Sequence, residues 1–160
     1  MTVSGAEHQA RKIAVVSVGE EEFGIDILQV VEILKAQRIC HLPQLPSFFT
    51  GVINVRGDVI PLVDLRLRFG LSAVAGKDRI VVVRLGPEKV GLLVDAVREV
   101  VNLEDGEVVK TPSMVKGLKA EYLSGLAKRG ERIIILLNID TVLTTEEKLQ
   151  VREVAKHLKA

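Results

Sequence analysis

Aromatic residues are scarce in this chain: four Phe, one Tyr and no Trp among 160 residues. A core must therefore be filled by aliphatic side chains. Val and Ile supply 37 of them, which favours strands over helices. The single cysteine, Cys40, excludes an intramolecular disulfide and fits a reducing cytoplasm. Charge of either sign is not in excess, with 22 Lys and Arg against 21 Asp and Glu and a formal net charge of +1. That balance gives no reason to expect a polyanionic partner. Phe23, Phe48, Phe49, Phe69 and Tyr122 also lack the spacing of an RNA-binding motif, which counts against a small nucleic-acid-binding barrel. Mean hydropathy is high at +0.28, yet no apolar run approaches the ~20 residues of a membrane helix. The longest, Ile133–Leu137, is strand-sized, so no direct membrane insertion is expected. Apolar excess without a span points either to a strand-rich core or to apolar surface used for partners. Residues 1–11 hold no apolar signal core and read as a disordered tail rather than an export signal.

Catalytic and metal-binding patterns are missing too. His8, His41 and His157 have no metal-ligand spacing with Cys40 or with one another. Cys40 reads as a small buried hydrophobe beside a surface His41. No nucleophile elbow, P-loop or G-x-G-x-x-G motif is present. Asp58, Asp64 and Asp95 take structural readings as turn, cap and strand end. The expectation is a protein with no catalytic residues, no metal and no cofactor.

The most informative stretch is Gly51–Arg66, GVINVRGDVIPLVDLR. Val52–Val55 and Val59–Val63 are short β-branched runs around a tight turn. Gly57 stands where the turn needs positive φ. Asp64 can cap a short helix over Leu65–Phe69, and Gly70 can end it. The turn lifts Arg56 off an apolar ribbon; read alone, Arg56 is an ordinary solvated turn residue.

An internal repeat organises the chain. Displaced by 67 positions, Ile13–Leu34 lies over Ile80–Val101 with eight of 22 pairs identical, Gly24/Gly91 and Glu32/Glu99 among them. Gly51-Val52, Arg56-Gly57-Asp58 and Leu62–Leu65 are echoed by Gly125-Leu126, Arg129-Gly130-Glu131 and Leu136–Ile139. Two copies of one β unit follow, each too small for comfortable independence. They should share a core or exchange strands. The first unit spans about 12–70, a small-residue joint 71–78, and the second about 79–143. Gly19–Glu22 and Gly86–Lys89 read as hairpin tips. Thr144–Glu147 forms a capping box for a last helix over 144–160, with Val151, Val154, Ala155 and Leu158 on its apolar face. Lys148, Arg152 and Lys156 line another face and read as solvated.

The Gly51–Arg66 stretch, together with Glu21–Ile33, Val90–Asp95 and Glu121–Leu126, resembles the CheW family, the coupling proteins of bacterial chemotaxis. The resemblance runs in order from about Lys12 to Leu143. It implies a mainly β fold of two packed five-stranded SH3-like barrels with a C-terminal helix. It also implies a non-enzymatic cytoplasmic adaptor located at membrane-associated receptor arrays. Such an adaptor joins the cytoplasmic tip of methyl-accepting chemoreceptors to the C-terminal regulatory domain of the histidine kinase CheA. By motif, the receptor surface would include Val30, Glu32, Gly51, Asn54 and Arg56. The kinase surface would include Met114, in the loop segment Pro112–Val115. Read without the family, Val30 is equally a core strand residue and Gly51 a backbone-conformation glycine. A paralogue serving a twitching-type system is the alternative. A kinase or receiver fragment would carry the same domain, but no ATP-binding or phospho-accepting pattern is legible.

Overall fold

The computed structural model describes residues 11–35, 37–43, 45–46, 48–71, 78–109, 114–115, 118–119 and 122–159. The expected tail over 1–10 and most of the joint over 71–78 lie outside them. Arg11 does not belong to the tail: it opens the first strand and pairs with Leu103.

The elements run β1 (Arg11–Val18), β2 (Glu21–Asp26), β3 (Val30–Lys35), β4 (Gly51–Val55), β5 (Asp58–Asp64) and α1 (Leu65–Phe69) in the first half. The second half has β6 (Arg79–Leu85), β7 (Glu88–Val94), β8 (Ala96–Leu103), β9 (Val108–Val109), β10 (Met114–Val115), β11 (Leu118–Lys119), β12 (Leu123–Arg129) and β13 (Arg132–Leu137), then α2 (Thr145–Lys159). One sheet has the order β8-β1-β2-β13-β12-β9, the other β3-β6-β7-β5-β4. Under the repeat, β1 corresponds to β6, β2 to β7, β3 to β8, β4 to β12 and β5 to β13. The two orders are then the same, save the short added β9. Each sheet takes one hairpin from one half of the chain and its remaining strands, four in the first sheet and three in the second, from the other half.

The exchange is sealed by two parallel pairings, β2 with β13 and β5 with β7. Gly24 faces Leu136 in the first, and Gly91 faces Leu62 in the second. Their lack of a side chain is steric. A Cβ on Gly24 would lie 2.5 Å from Ile13 Cγ2 and 2.9 Å from Leu136 Cδ2; one on Gly91 would collide with Leu62 Cδ2.

Period-2 alternation sends side chains to two destinations. Ile13, Val15, Val101, Leu103, Ala127, Ile134 and Leu136 fill the interior of the first barrel. Ile53, Val55, Ile60, Leu62, Ile80, Val82 and Leu93 fill the second, with Leu34 of β3 packed against them. First and last strands of each sheet thus share one interior, which is what makes each a barrel. The alternate residues, including Val16, Phe23, Ile25, Val63, Val81, Leu92 and Ile135, form a third core between the barrels. Strands buried on both faces read as unbroken apolar runs, as β1, β6 and β13 do.

Two helix ends form as their residues dictate. Asp64 Oδ1 accepts from Arg66 N, and Gly70, at φ 69°, terminates α1. At α2, Glu147 N donates to Thr144 Oγ1 at 3.1 Å and Thr144 N to Glu147 Oε1 at 2.9 Å. Val151 and Ala155 are buried, and α2 packs on β5 and β7. The side chains of His157 and Leu158 lie outside the described residues. Arg68 of α1 ties the helix down through Glu147, with Nη1 to Oε2 at 2.8 Å, and through the Val142 carbonyl.

Gly91→Ala is expected to lower stability by about 1–3 kcal/mol, because the added methyl overpacks the seam against Leu62. Urea unfolding with an unchanged m-value would show it; a wild-type midpoint would mean that the seam is loosely packed.

Candidate functional site

Five of the six residues singled out by motif lie in the barrel of β3–β7. Val30 opens β3 after a short 3-10 turn over Ile27–Gln29. It pairs with Val83, and a register irregularity separates it from Glu32. Val30 is half-buried and packs on the central core. Asn54 lies near the end of β4, exposed, and its Oδ1 accepts from Gly57 N at 2.9 Å. That bond braces the turn which carries Arg56.

The turn is tighter than the sequence suggested. Gly57 has φ 92°, and Arg56 also sits in the left-handed region at φ 51°. Positive φ at both central residues is the signature of the two-residue turn that matches strand twist. The strained residue is therefore the arginine. Its side chain is 73% exposed yet held: Nη1 reaches Glu32 Oε2 at 2.9 Å and Nη2 reaches Oε1 at 2.5 Å. β3 and β4 are the two edges of their sheet, so this two-pronged pair clasps the open side of the barrel. The Arg56 bond holds the Glu32 carboxyl below the usual carboxylate range, against the opposing effect of desolvation. Glu32 in turn raises Arg56.

Gly51 is a different case. It is not a positive-φ residue. A Cβ there would lie 2.6 Å from Cys40 O and 2.6 Å from Ile39 Cγ2. Cys40 crosses at this point and exchanges two backbone bonds of 2.9 Å with Val52. The other barrel repeats the device: Val109 pairs with Leu126 beside Gly125, where a Cβ would meet Val109 O at 3.2 Å. Gly51 is thus a close-approach glycine beneath a crossing segment, not a backbone-conformation glycine. The crossing also corrects the reading of Cys40, whose side chain is exposed rather than buried. It occupies the rim of a groove of about 780 Å³ between 37–41 and the strand residues Val52, Ile53, Asn54 and Val59.

The motif left out the apolar outer face of β3. Val31 and Ile33 are 38% and 41% exposed, and Leu28 just before them is 89% exposed. They flank Glu32 in sequence, and the register places Ile33, opposite Val81, on the other face of β3 from Glu32, opposite Val82. The available signal was Val30–Leu34 itself, apolar on both parities in what proves to be an edge strand. Met114 is not brought to this cluster. Its backbone pairs with Lys119 in the separate β10–β11 ribbon, and its side chain lies outside the described residues, as do Pro112 and Ser113.

A second polar cluster escaped the sequence reading. Arg66, with a side chain 8% exposed, binds Asp64 through Nε–Oδ1 at 2.9 Å and Nη2–Oδ2 at 3.1 Å. Its Nη1 reaches Asp95 Oδ1 at 2.9 Å and Asp78 Oδ1 at 2.8 Å. Its bonds to Asp64 foremost, then to Asp95 and Asp78, hold the guanidinium far above its ordinary value despite burial. Asp95 is not only a strand end: its carboxylate bonds both Arg66 and the Gly19 N–H. The two buried carboxylates Asp64 and Asp95 both bond the Arg66 guanidinium. Among the described residues, no group of three His, Cys, Asp or Glu side chains is placed to hold a metal ion. No described helix is long and apolar enough to cross a membrane.

Comparison with known proteins follows the same geometry. The sequence profile of the CheW-like domain matches residues 12–147. The chemotaxis protein CheW of Klebsiella aerogenes is 37% identical over 152 residues, covering 94% of this chain and 92% of that protein. Protein FrzA of Myxococcus xanthus is 32% identical over 133 residues, covering 80% and 82%. The crystal structure of the scaffolding protein TtCheW from Thermoanaerobacter tengcongensis superposes with a TM-score of 0.76 at 35% identity, covering 83% of this chain and 87% of that one.

Because the folded Glu32 carboxyl titrates below its unfolded value, the clasp stabilises fully above the ordinary carboxylate range, near pH 4–5. That stabilisation is lost as pH falls through the lowered folded value. A carbon-detected NMR titration should show the Glu32 midpoint moving upward in Arg56→Ala. An unmoved midpoint would mean that the pair does not form in solution.

Proposed function

The chain belongs to the CheW family, and from that premise we propose how its surfaces divide the work of coupling. It is a non-enzymatic chemotaxis adaptor, a scaffold between chemoreceptors and the histidine kinase CheA. In this reading the barrel of β3–β7 receives the cytoplasmic tip of a methyl-accepting chemoreceptor. Val30, Glu32, Asn54 and Arg56 form the contact, and Gly51 supports it from beneath. The observation that carries the reading is the Arg56–Glu32 clasp: a solvent-exposed guanidinium already fixed in orientation, on the barrel that also exposes Leu28, Val31 and Ile33. A helical hairpin offers such a surface an apolar face with polar flanks. Fixing the arginine beforehand lowers the entropy lost on docking.

The kinase contact is assigned to the other barrel, with Met114 as a member and the C-terminal regulatory domain of CheA as the partner. The protein would work in the cytoplasm, at receptor arrays beside the membrane. Individually modest contacts suffice there, since an array multiplies them through effective concentration. Kinase control further requires that the adaptor's contacts differ between two receptor states. A role in a non-flagellar system stays open through the likeness to FrzA.

Arg56→Glu should keep the fold, since the side chain lies outside the core, and should weaken binding of a receptor-tip fragment by about tenfold or more. Binding to the CheA regulatory domain should persist. Calorimetric titration against each partner separates the two, and normal receptor affinity in the folded variant would remove Arg56 from the contact. The converse test is Met114→Glu. In a folded variant, shown by circular dichroism, kinase-containing assemblies should shrink on gel filtration while binary receptor binding remains. Wild-type assemblies would take Met114 out of the kinase surface.

A further inference from the structure

The exchanged strands leave a mechanical question about angle. The receptor residues proposed above lie in one barrel, whereas the β10–β11 ribbon that carries Met114 is inserted between β9 and β12 of the other. A contact on one barrel is useful to the other only if the angle between them is held. The core between the barrels is mostly aliphatic, with the rings of Phe23, Phe49 and Phe69 among its Val, Ile and Leu side chains. Aliphatic packing is non-directional and accommodates small slides at modest cost.

Asp95 sits where direction is needed. It is the single residue between β7 of one barrel and β8 of the other, and it is 2% exposed. Its backbone N–H donates to Ser17 O at 2.9 Å. Its Oδ2 accepts from Gly19 N at 2.7 Å, so both of these bonds go to the β1–β2 hairpin of the first barrel. Its Oδ1 accepts from Arg66 at 2.9 Å, and Arg66 is the first-turn residue of α1, which follows β5 of the second barrel. Asp64 and Asp78 hold the same guanidinium from two further points of the chain. A rotation of the barrels that parted Asp95 from Arg66 or from Gly19 would strand buried polar groups. Such an arrangement is disfavoured far more strongly than a slide of Val against Leu.

We infer that Asp95 and Arg66 form a pin that fixes the angle between the two barrels, and that Asp95 is a positioning residue for coupling although it belongs to neither contact surface. The coupling half of this inference rests on the proposed adaptor function; the pin itself does not. The charge-neutral variant Asp95→Asn keeps the size of the side chain and removes the ionic half of the pin.

The test uses the full chain with Cys40→Ser and nitroxide labels at the exposed positions Arg84, on β6, and Lys128, on β12. Pulsed electron–electron resonance should give one narrow distance in the parent protein. Asp95→Asn should give a broadened or displaced one at temperatures where circular dichroism shows both proteins fully folded. If Asp95→Asn does not fold, Asp78→Asn removes the half-exposed carboxylate from the same guanidinium, and the same broadening is expected there. An unchanged narrow distance in the folded variant overturns the pin. With receptor-tip and kinase fragments, Asp95→Asn should leave each binary affinity within about twofold while the ternary complex weakens at least about fivefold, the lower end of typical coupling between sites. Asp95→Glu should restore part of that loss. Binary and ternary affinities falling together would mark Asp95 as a stability residue only and overturn the positioning role. Should the parent protein bind neither fragment, the adaptor reading fails, while the distance measurement still decides the pin.

Discussion

Everything in this molecule depends on two parallel strand seams, β2 against β13 and β5 against β7. Each joins a hairpin from one half of the chain to a strand from the other. Neither half contains a complete barrel, so neither can bury its own apolar face, and folding is a single event for both. At each seam a glycine faces a leucine, Gly24 with Leu136 and Gly91 with Leu62. The leucine fills the space the glycine leaves, and the strands approach without a void. The cost is high contact order: partners separated by more than a hundred residues in β2 and β13 must meet before either barrel closes, and loop closure of that kind slows folding. The return is mechanical. Two bodies that exchange strands cannot part without unfolding.

The open side of each barrel is managed by a second pair of devices. A segment crosses over a glycine, Cys40 beside Gly51 in one and Val109 beside Gly125 in the other. An arginine from the following turn then reaches back across the gap. Arg56 takes Glu32 in one barrel, and Arg129 donates to the Asn102 carbonyl in the other. Only the first clasp is a two-pronged ion pair, and only there does the arginine take a left-handed backbone. Exposed ion pairs contribute little to stability.

Much of the fold was legible because its signals are local. The repeat, the hairpin around Gly57, the Asp64 cap and the Thr144–Glu147 box each depend on residues a few positions apart. What stayed hidden depends on tertiary partners. Alternation says that Gly91 has an inward neighbour, but not that this neighbour is Leu62 rather than a residue of its own half. Cys40 was misread because a crossing segment turns one side chain outward that composition alone would bury. Gly51 was misread because a glycine kept for close approach and one kept for positive φ look alike in sequence. Val31 and Ile33 were passed over because an apolar edge strand looks like an interior one. The Arg66 cluster draws on Gly19, Asp64, Asp78 and Asp95, and no spacing rule joins them.

Stability alone explains that cluster poorly. Buried ion pairs seldom exceed a well-packed apolar replacement, because desolvation offsets much of the attraction. The chain has abundant apolar residues and fills the core between the barrels with them, Val, Ile and Leu together with Phe23, Phe49 and Phe69, so an apolar plug was chemically at hand. What an apolar plug cannot do is distinguish one relative orientation from its neighbours, since its energy varies little with small slides. A guanidinium with carboxylates at fixed angles does distinguish them, because each departure leaves a charge without its partner. Directional chemistry is thus concentrated at Asp95, at the second of the two places where the chain passes from barrel to barrel. An apolar core supplies the cohesion, and a small polar cluster supplies the geometry. That division suits a protein whose task is to hold two partners in register rather than to transform either of them.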